Sequence, residues 1–237
     1  MSIPHFIAAN QSLIIAGFRG LTMSVKAPSI EVGPPKLFTT AGLLLINAYG
    51  LLPVIPLVIS ILTISLLEFG LWTWLLPVLV MVATAYLLPF ALGNSRVVKL
   101  VRSLDRAAGK GEDSFVVQLT CSPRIRSGFR ALLEDADDIG CLSFTGAELV
   151  FQGDSVKLSI PFDQIERVRP KNVGLLGLFV YGPRITLVVS GLPGVESVEF
   201  AERSSRLLPT SRKTTRKFYE RLASKVARRA QGQPGEF

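Results

Sequence analysis

Between Leu37 and Ser95 the chain carries one charged side chain, Glu68, set next to Phe69-Gly70 between two long runs of Leu, Ile, Val and Phe. A stretch this poor in charge has no polar face to turn toward water once it is folded. A helix needs about 20 apolar residues to cross the hydrocarbon core of a bilayer, and Thr40–Leu67 and Leu71–Leu92 are each long enough. Backbone groups in lipid must be satisfied within their own segment, so helix is the conformation expected of both. The reading is a two-helix transmembrane hairpin over residues 38–95, with spans of about 40–67 and 71–92, turning at Glu68-Phe69-Gly70. Trp72 and Trp74 then fall at the water boundary of the second span. Pro53, Pro56, Pro77 and Pro89 remove helical donors and should kink the spans. A shallow wedge that enters and leaves one leaflet satisfies the same residues.

Orientation follows from the basic residues near the span ends. Arg19, Lys26 and Lys36 precede the first span, Arg96, Lys99, Arg102, Arg106 and Lys110 follow the second, and the connecting turn has no Lys or Arg. The positive-inside rule then gives a multi-pass protein of the plasma or inner membrane with both termini cytoplasmic. Residues 1–37 lack the basic start and long apolar run of a secretory signal and read as a loose cytoplasmic arm.

The formal net charge is +8, and residues 96–237 hold most of it, with 23 Lys plus Arg against 16 Asp plus Glu. That portion is long enough for one compact domain with its own core. Cys121 and Cys141 sit in apolar, strand-like surroundings and read as free buried thiols. The only histidine is His5, far from either cysteine, so the ligands of a zinc site are missing. No cofactor is expected.

Residues 96–113 read as a juxtamembrane helix or linker, with Val97, Val98, Leu100, Val101 and Leu104 recurring among the basic residues. From Phe115 the period changes, and Phe115–Cys121 reads as a strand closed by Ser122-Pro123. A short helix fits Ile125–Leu133. Short strands follow at Cys141–Thr145, Leu149–Gln152, Val156–Ile160, Arg184–Val189 and Val195–Phe200, separated by tight turns. Phe162, Ile165 and Val168, spaced by three, suggest one helical turn or a bent strand. Between Ser211 and Arg229, Phe218, Leu222 and Val226 form an apolar stripe opposite Lys213, Arg216, Lys217, Arg221, Lys225 and Arg228. Residues 230–237 read as a disordered tail.

The runs Gly140-Cys141-Leu142-Ser143-Phe144-Thr145, Leu149-Val150-Phe151 and Ile160-Pro161-Phe162-Asp163-Gln164-Ile165, followed by one amphipathic helix, resemble the GRAM and bacterial pleckstrin-homology-like families over about residues 114–229. The resemblance implies an α+β chain: the hairpin, then a pleckstrin-homology-like antiparallel β-barrel or roll capped by the C-terminal helix. It also implies binding to inositol or other acidic lipids, or to protein segments. Lipid-binding members carry basic residues in the first strand connection, where this chain has Arg124, Arg126 and Arg130, although Asp137 and Asp138 end that connection.

The candidate anionic-lipid contacts are therefore Arg124, Arg126, Arg130, Lys213, Arg216, Lys217, Arg221, Lys225 and Arg228. Each Lys or Arg close to an anionic surface contributes about 1 kcal/mol. Glu134, Asp135, Asp137 and Asp138 lack calcium-loop spacing and read as a solvated loop. There is no Gly-x-Ser-x-Gly elbow, no phosphate-binding loop and no His-based pair, so no enzyme is expected. Few aromatics interleave with the basic residues, which argues against nucleic acid as a partner. The expectation is a non-enzymatic integral membrane protein whose pleckstrin-homology-like module contacts anionic lipid. The alternative is a protein-interaction or assembly subunit of a membrane complex, receiving a partner at a sheet edge or at Gly174–Val180.

Overall fold

The computed structural model describes residues 26–44, 54–66, 74–75, 77–80, 83, 93–106, 109–110, 113–126, 136–172 and 183–231. The alternating segments form strands β1 (Ser29–Val32), β2 (Ser114–Ser122), β3 (Asp138–Phe144), β4 (Glu148–Gly153), β5 (Val156–Pro161), β6 (Ile165–Lys171), β7 (Arg184–Val189) and β8 (Ser197–Glu202). They make one antiparallel sheet in the spatial order β1-β5-β4-β3-β2-β8-β7-β6, curled into a half-barrel. A period of two puts Phe115, Val117, Leu119 and Cys121 of β2 on the concave face with Leu142, Phe151, Leu158 and Phe200, where they form the main core. Phe162–Gln164 makes a single 3-10 turn before β6, so the spacing by three at Phe162, Ile165 and Val168 marks a turn followed by a strand.

The sheet leaves its concave side open, and helix α3 (Leu208–Ala230) fills it. Pro209 stands in the first turn of this helix, where a missing N–H costs nothing. The Phe218 ring lies 5.3 Å from that of Phe115, 5.8 Å from Phe144 and 6.3 Å from Phe200. Leu222 is fully buried one turn on, and Val226 packs at the margin. Burying a Phe or Leu side chain stabilises by roughly 1.5–3 kcal/mol, which fixes this helix on the sheet.

The convex face has its own cover. Helix α2 (Ser95–Leu104) buries Val97 and Val101 against Val116, Ile139 and Cys141, and Phe38 and Leu43 join the cluster. The buried Asn94 amide donates to the Ser205 carbonyl at 2.7 Å, tying the start of α2 to the turn before α3. The helix expected as a juxtamembrane linker thus packs against the sheet. Cys121 and Cys141 are both free and buried, and burial pushes the Cys121 thiol up to about 12, with the Asp137 carboxylate adding to the shift.

The N-terminal arm, expected to be loose, supplies an edge strand. β1 pairs antiparallel with β5, from Ser29 opposite Ser159 to Val32 opposite Val156. A salt bridge from Lys26 to Glu148 at 2.7 Å holds one end of this strap. At the other end, the backbone N–H groups of Lys36, Leu37 and Phe38 donate to the Asp154 carboxylate at 2.8–3.0 Å. A sequence pattern of four residues is too short to announce such a strand.

The transmembrane hairpin is corrected. Among the described residues no helix is long and apolar enough to cross a membrane. Helix α1 is described over Val54–Leu66. Of the second expected span, residues 74–75, 77–80 and 83 are described, and all are helical. The turn at Glu68-Phe69-Gly70 lies outside the described residues. The multi-pass placement in a plasma or inner membrane with both termini cytoplasmic rested on two spans, and it falls with them. The barrel expectation is corrected too: among the described residues the sheet is an open half-barrel whose edges are β1 and β6.

Candidate functional site: two separate basic surfaces

Helix α3 turns its charges away from the core because the residues flanking Phe218 and Leu222 at helical spacing are polar. Lys213, Lys217 and Arg228 are exposed on the side opposite the buried stripe. Arg216 is exposed as well, but it donates to Glu220 one turn later at 2.8 Å. The half-buried Arg221 pairs with Asp113, just before β2. Lys225 lies 5.8 Å from the centroid of the Phe144 ring and is half-buried there, consistent with a cation–π contact. The six helix candidates therefore divide: Lys213, Lys217 and Arg228 are held by no ion pair among the described residues, while Arg216, Arg221 and Lys225 have neighbours of their own.

The first strand connection is built differently. Arg124 is exposed, whereas Arg126 is half-buried and its guanidinium donates to the Ser155 hydroxyl of the β4–β5 turn. The backbone N–H of Arg126 donates to Asp137 at 3.0 Å. Arg126 thus braces two turns. Arg130 lies outside the described residues, as does most of the expected helix Ile125–Leu133.

Asp137 and Asp138 are buried, so the solvated-loop reading fails for both. Asp137 accepts the Cys121 N–H at 2.7 Å, and Asp138 accepts those of Ser155 and Val156 at 2.7 and 2.6 Å. Burial raises the Asp138 pKa above the ordinary carboxylate range, although these backbone donors pull against it. The two acids cap backbone donors of β2 and β5, which leaves them turned inward. Glu134 and Asp135 lie outside the described residues, and no group of three His, Cys, Asp or Glu side chains among the described residues could hold a metal.

The two basic sets are not brought together. Arg221 is tied to Asp113 before the first residue of β2, and Arg124 follows its last residue, Ser122. A nine-residue strand extends on the order of 25 Å, which separates the sets along the sheet. Sequence reasoning also missed three cations. Arg212 is exposed beside Lys213, and Arg167 and Arg169 project from edge strand β6 with no ion pair among the described residues. The signal was present in the alternation of Arg167-Val168-Arg169-Pro170-Lys171 beside the spacing by three that left a helical turn and a bent strand both open. Since α3 packs against β6, these arginines and the helix cations belong to adjoining elements.

Edge strand β6 combines Pro170 with exposed charges, both of which discourage pairing, while β1 is the opposite edge. The segment Gly174–Val180 lies outside the described residues. No family model matches the chain, and neither a curated protein nor a solved structure shows significant similarity to it.

Proposed function

We propose that this protein is a non-enzymatic binding module that contacts an anionic lipid surface through the outer face of α3. The observation that carries the reading is the set Lys213, Lys217 and Arg228, exposed on one side of a helix whose other side is locked into the core. Arg212 on α3 itself and the pair Arg167 and Arg169 on neighbouring β6 extend the cationic area. Such a face needs no pocket, because headgroups are met across a surface and each nearby cation contributes about 1 kcal/mol. Arg126 is left out of the contact set, since its guanidinium is engaged by Ser155.

The kinship with GRAM and bacterial pleckstrin-homology-like proteins stays part of the proposal. It is supported by the places of the motif residues: Gly140–Phe144 on β3, Leu149–Phe151 on β4, and Ile160-Pro161 at the end of β5. Co-sedimentation of the full chain with vesicles tests the function. Binding that rises with the anionic lipid fraction and weakens with salt is expected. Binding indifferent to both would sink the reading and favour a protein partner.

A further inference from the structure

Helices α2 and α3 carry their cations on opposite sides of one sheet. α3 buries Phe218 and Leu222 on the concave side, whereas α2 buries Val97 and Val101 on the convex side against Val116, Ile139 and Cys141. At about 100° per residue, Lys99 stands opposite the seam of Val97 and Val101, and Arg102 lies roughly 60° to its side. Both are exposed, as is Arg106 just past the end of the helix. None of the three is held by an ion pair among the described residues, so α2 turns a second cationic face to its surroundings. The Asn94 side chain fixes the start of α2 to the turn before α3. From that tie the two helices run on either side of the sheet, and their outer faces point apart.

We propose that the chain bridges two anionic lipid surfaces, meeting one through α3 and the other through Lys99, Arg102 and Arg106. The first contact is that of the lipid reading above, on which this inference rests. A helix with its side chains is about 10–12 Å across and a sheet separates the two, so their outer faces stand on the order of 30 Å apart. Charges are screened over about 8 Å at physiological salt. A flat bilayer seated on Lys213 and Lys217 therefore lies several screening lengths from Lys99 and Arg102, and those cations gain nothing from it. The chemistry of the second face selects its partner. Like α3, it lines up cations along one side of a helix, and headgroups are met across such a surface without a pocket. Another copy of this chain, at net +8, is repelled by it. Residues 95–106 hold no aromatic side chain on which a base could stack, so the face does not suit a nucleic-acid strand.

The full chain is loaded on a supported bilayer containing anionic lipid, washed free of unbound protein and offered fluorescent anionic vesicles. Vesicles should be captured, less so as salt rises, and neutral vesicles should not. Lys99→Ala/Arg102→Ala alters two exposed positions and leaves the buried side of α2 untouched. This variant should load on the bilayer in the same amount and capture roughly tenfold fewer vesicles. Lys99→Arg/Arg102→Lys, which keeps both charges, should capture as the unaltered chain does. Undiminished capture by the alanine variant would overturn the inference and assign the bridge to another face or to paired copies. Loading that falls together with capture would put α2 and α3 on one bilayer, which overturns it as well. Chain loaded without any capture would end the bridge, leave the lipid reading of α3 standing and point to an acidic protein as the partner of α2. A bilayer that retains no chain removes both.

Discussion

Helices α3 and α1 answer the same physical demand in opposite ways. In α3 the apolar residues Phe218 and Leu222 are buried under the half-barrel and the cations face outward. In α1 the apolar residues Ile55, Ile59, Leu62 and Leu66 face outward, while Ile64 is buried. The sheet with α2 and α3 therefore closes its own core, while α1 depends on something outside that core. Water solvates the first region, and the second calls for an apolar neighbour.

Substitutions in the two helices should separate most strongly. Phe218→Ala leaves a cavity among Phe115, Phe144 and Phe200 and should cost about 3–5 kcal/mol of stability by denaturant unfolding. Leu62→Ala, on an exposed position of α1, should stay within about 0.5 kcal/mol in the same measurement. A comparable loss from both would erase the contrast.

The next effect concerns the frame on which α3 rests. Gly140 lies opposite Gly153 across β3 and β4, and a Cβ on Gly153 would run into the Asp138 carboxylate and the Phe151 ring. Gly153→Ala should cost about 1–3 kcal/mol, read by the same unfolding curve. A wild-type midpoint would show that the strands have room to part.

Arg126→Ala sharpens the distinction between brace and contact. Removing its hydrogen bond to Ser155 should lower stability by about 1 kcal/mol and leave vesicle binding unchanged. A drop in vesicle affinity at unchanged stability would return Arg126 to the lipid-contacting set.

The smallest effect belongs to the β1 strap. Partial burial pushes the Glu148 pKa upward, but hydrogen bonds from Lys26 and Ser159 outweigh it and hold the group below its ordinary value of 4.5. The ionised form is thus favoured when the strap is docked. Its contribution is complete above 4.5 and is lost as pH falls through the depressed value. Amide exchange over Ser29–Val32, corrected for the intrinsic rate, should accelerate on acidification in that range and should do so less in Glu148→Gln. Equal acid response in the two proteins would place the anchoring elsewhere.

The strands β2 to β5, β7 and β8 and helix α3 were legible because each spans several residues of regular alternation or helical spacing, whereas over β6 the spacing by three left one helical turn and a bent strand both open. The strap was not, because β1 is four residues held by partners more than a hundred positions away. Asp137 and Asp138 were misread for a related reason: an acidic run looks solvated unless the backbone donors it caps are known, and those belong to β2 and the β4–β5 turn. The charge-poor run Leu37–Ser95 was read as two spans from hydropathy alone, and among the described residues no helix there is long and apolar enough to cross a membrane. Of the lipid candidates, the outward set on α3 was visible from spacing. The neighbours of Arg216, Arg221 and Lys225 were visible only in part, since Arg216 and Glu220 are four residues apart while Asp113 and Phe144 are remote.

That α3 meets lipid through Lys213 and Lys217 is tested by the affinity of Lys213→Ala/Lys217→Ala for anionic vesicles relative to the unaltered chain. At about 1 kcal/mol for each lysine, roughly a tenfold or greater loss is expected, with unchanged unfolding and a shallower dependence on salt. Equal affinity and an equal salt dependence in the two proteins would contradict it.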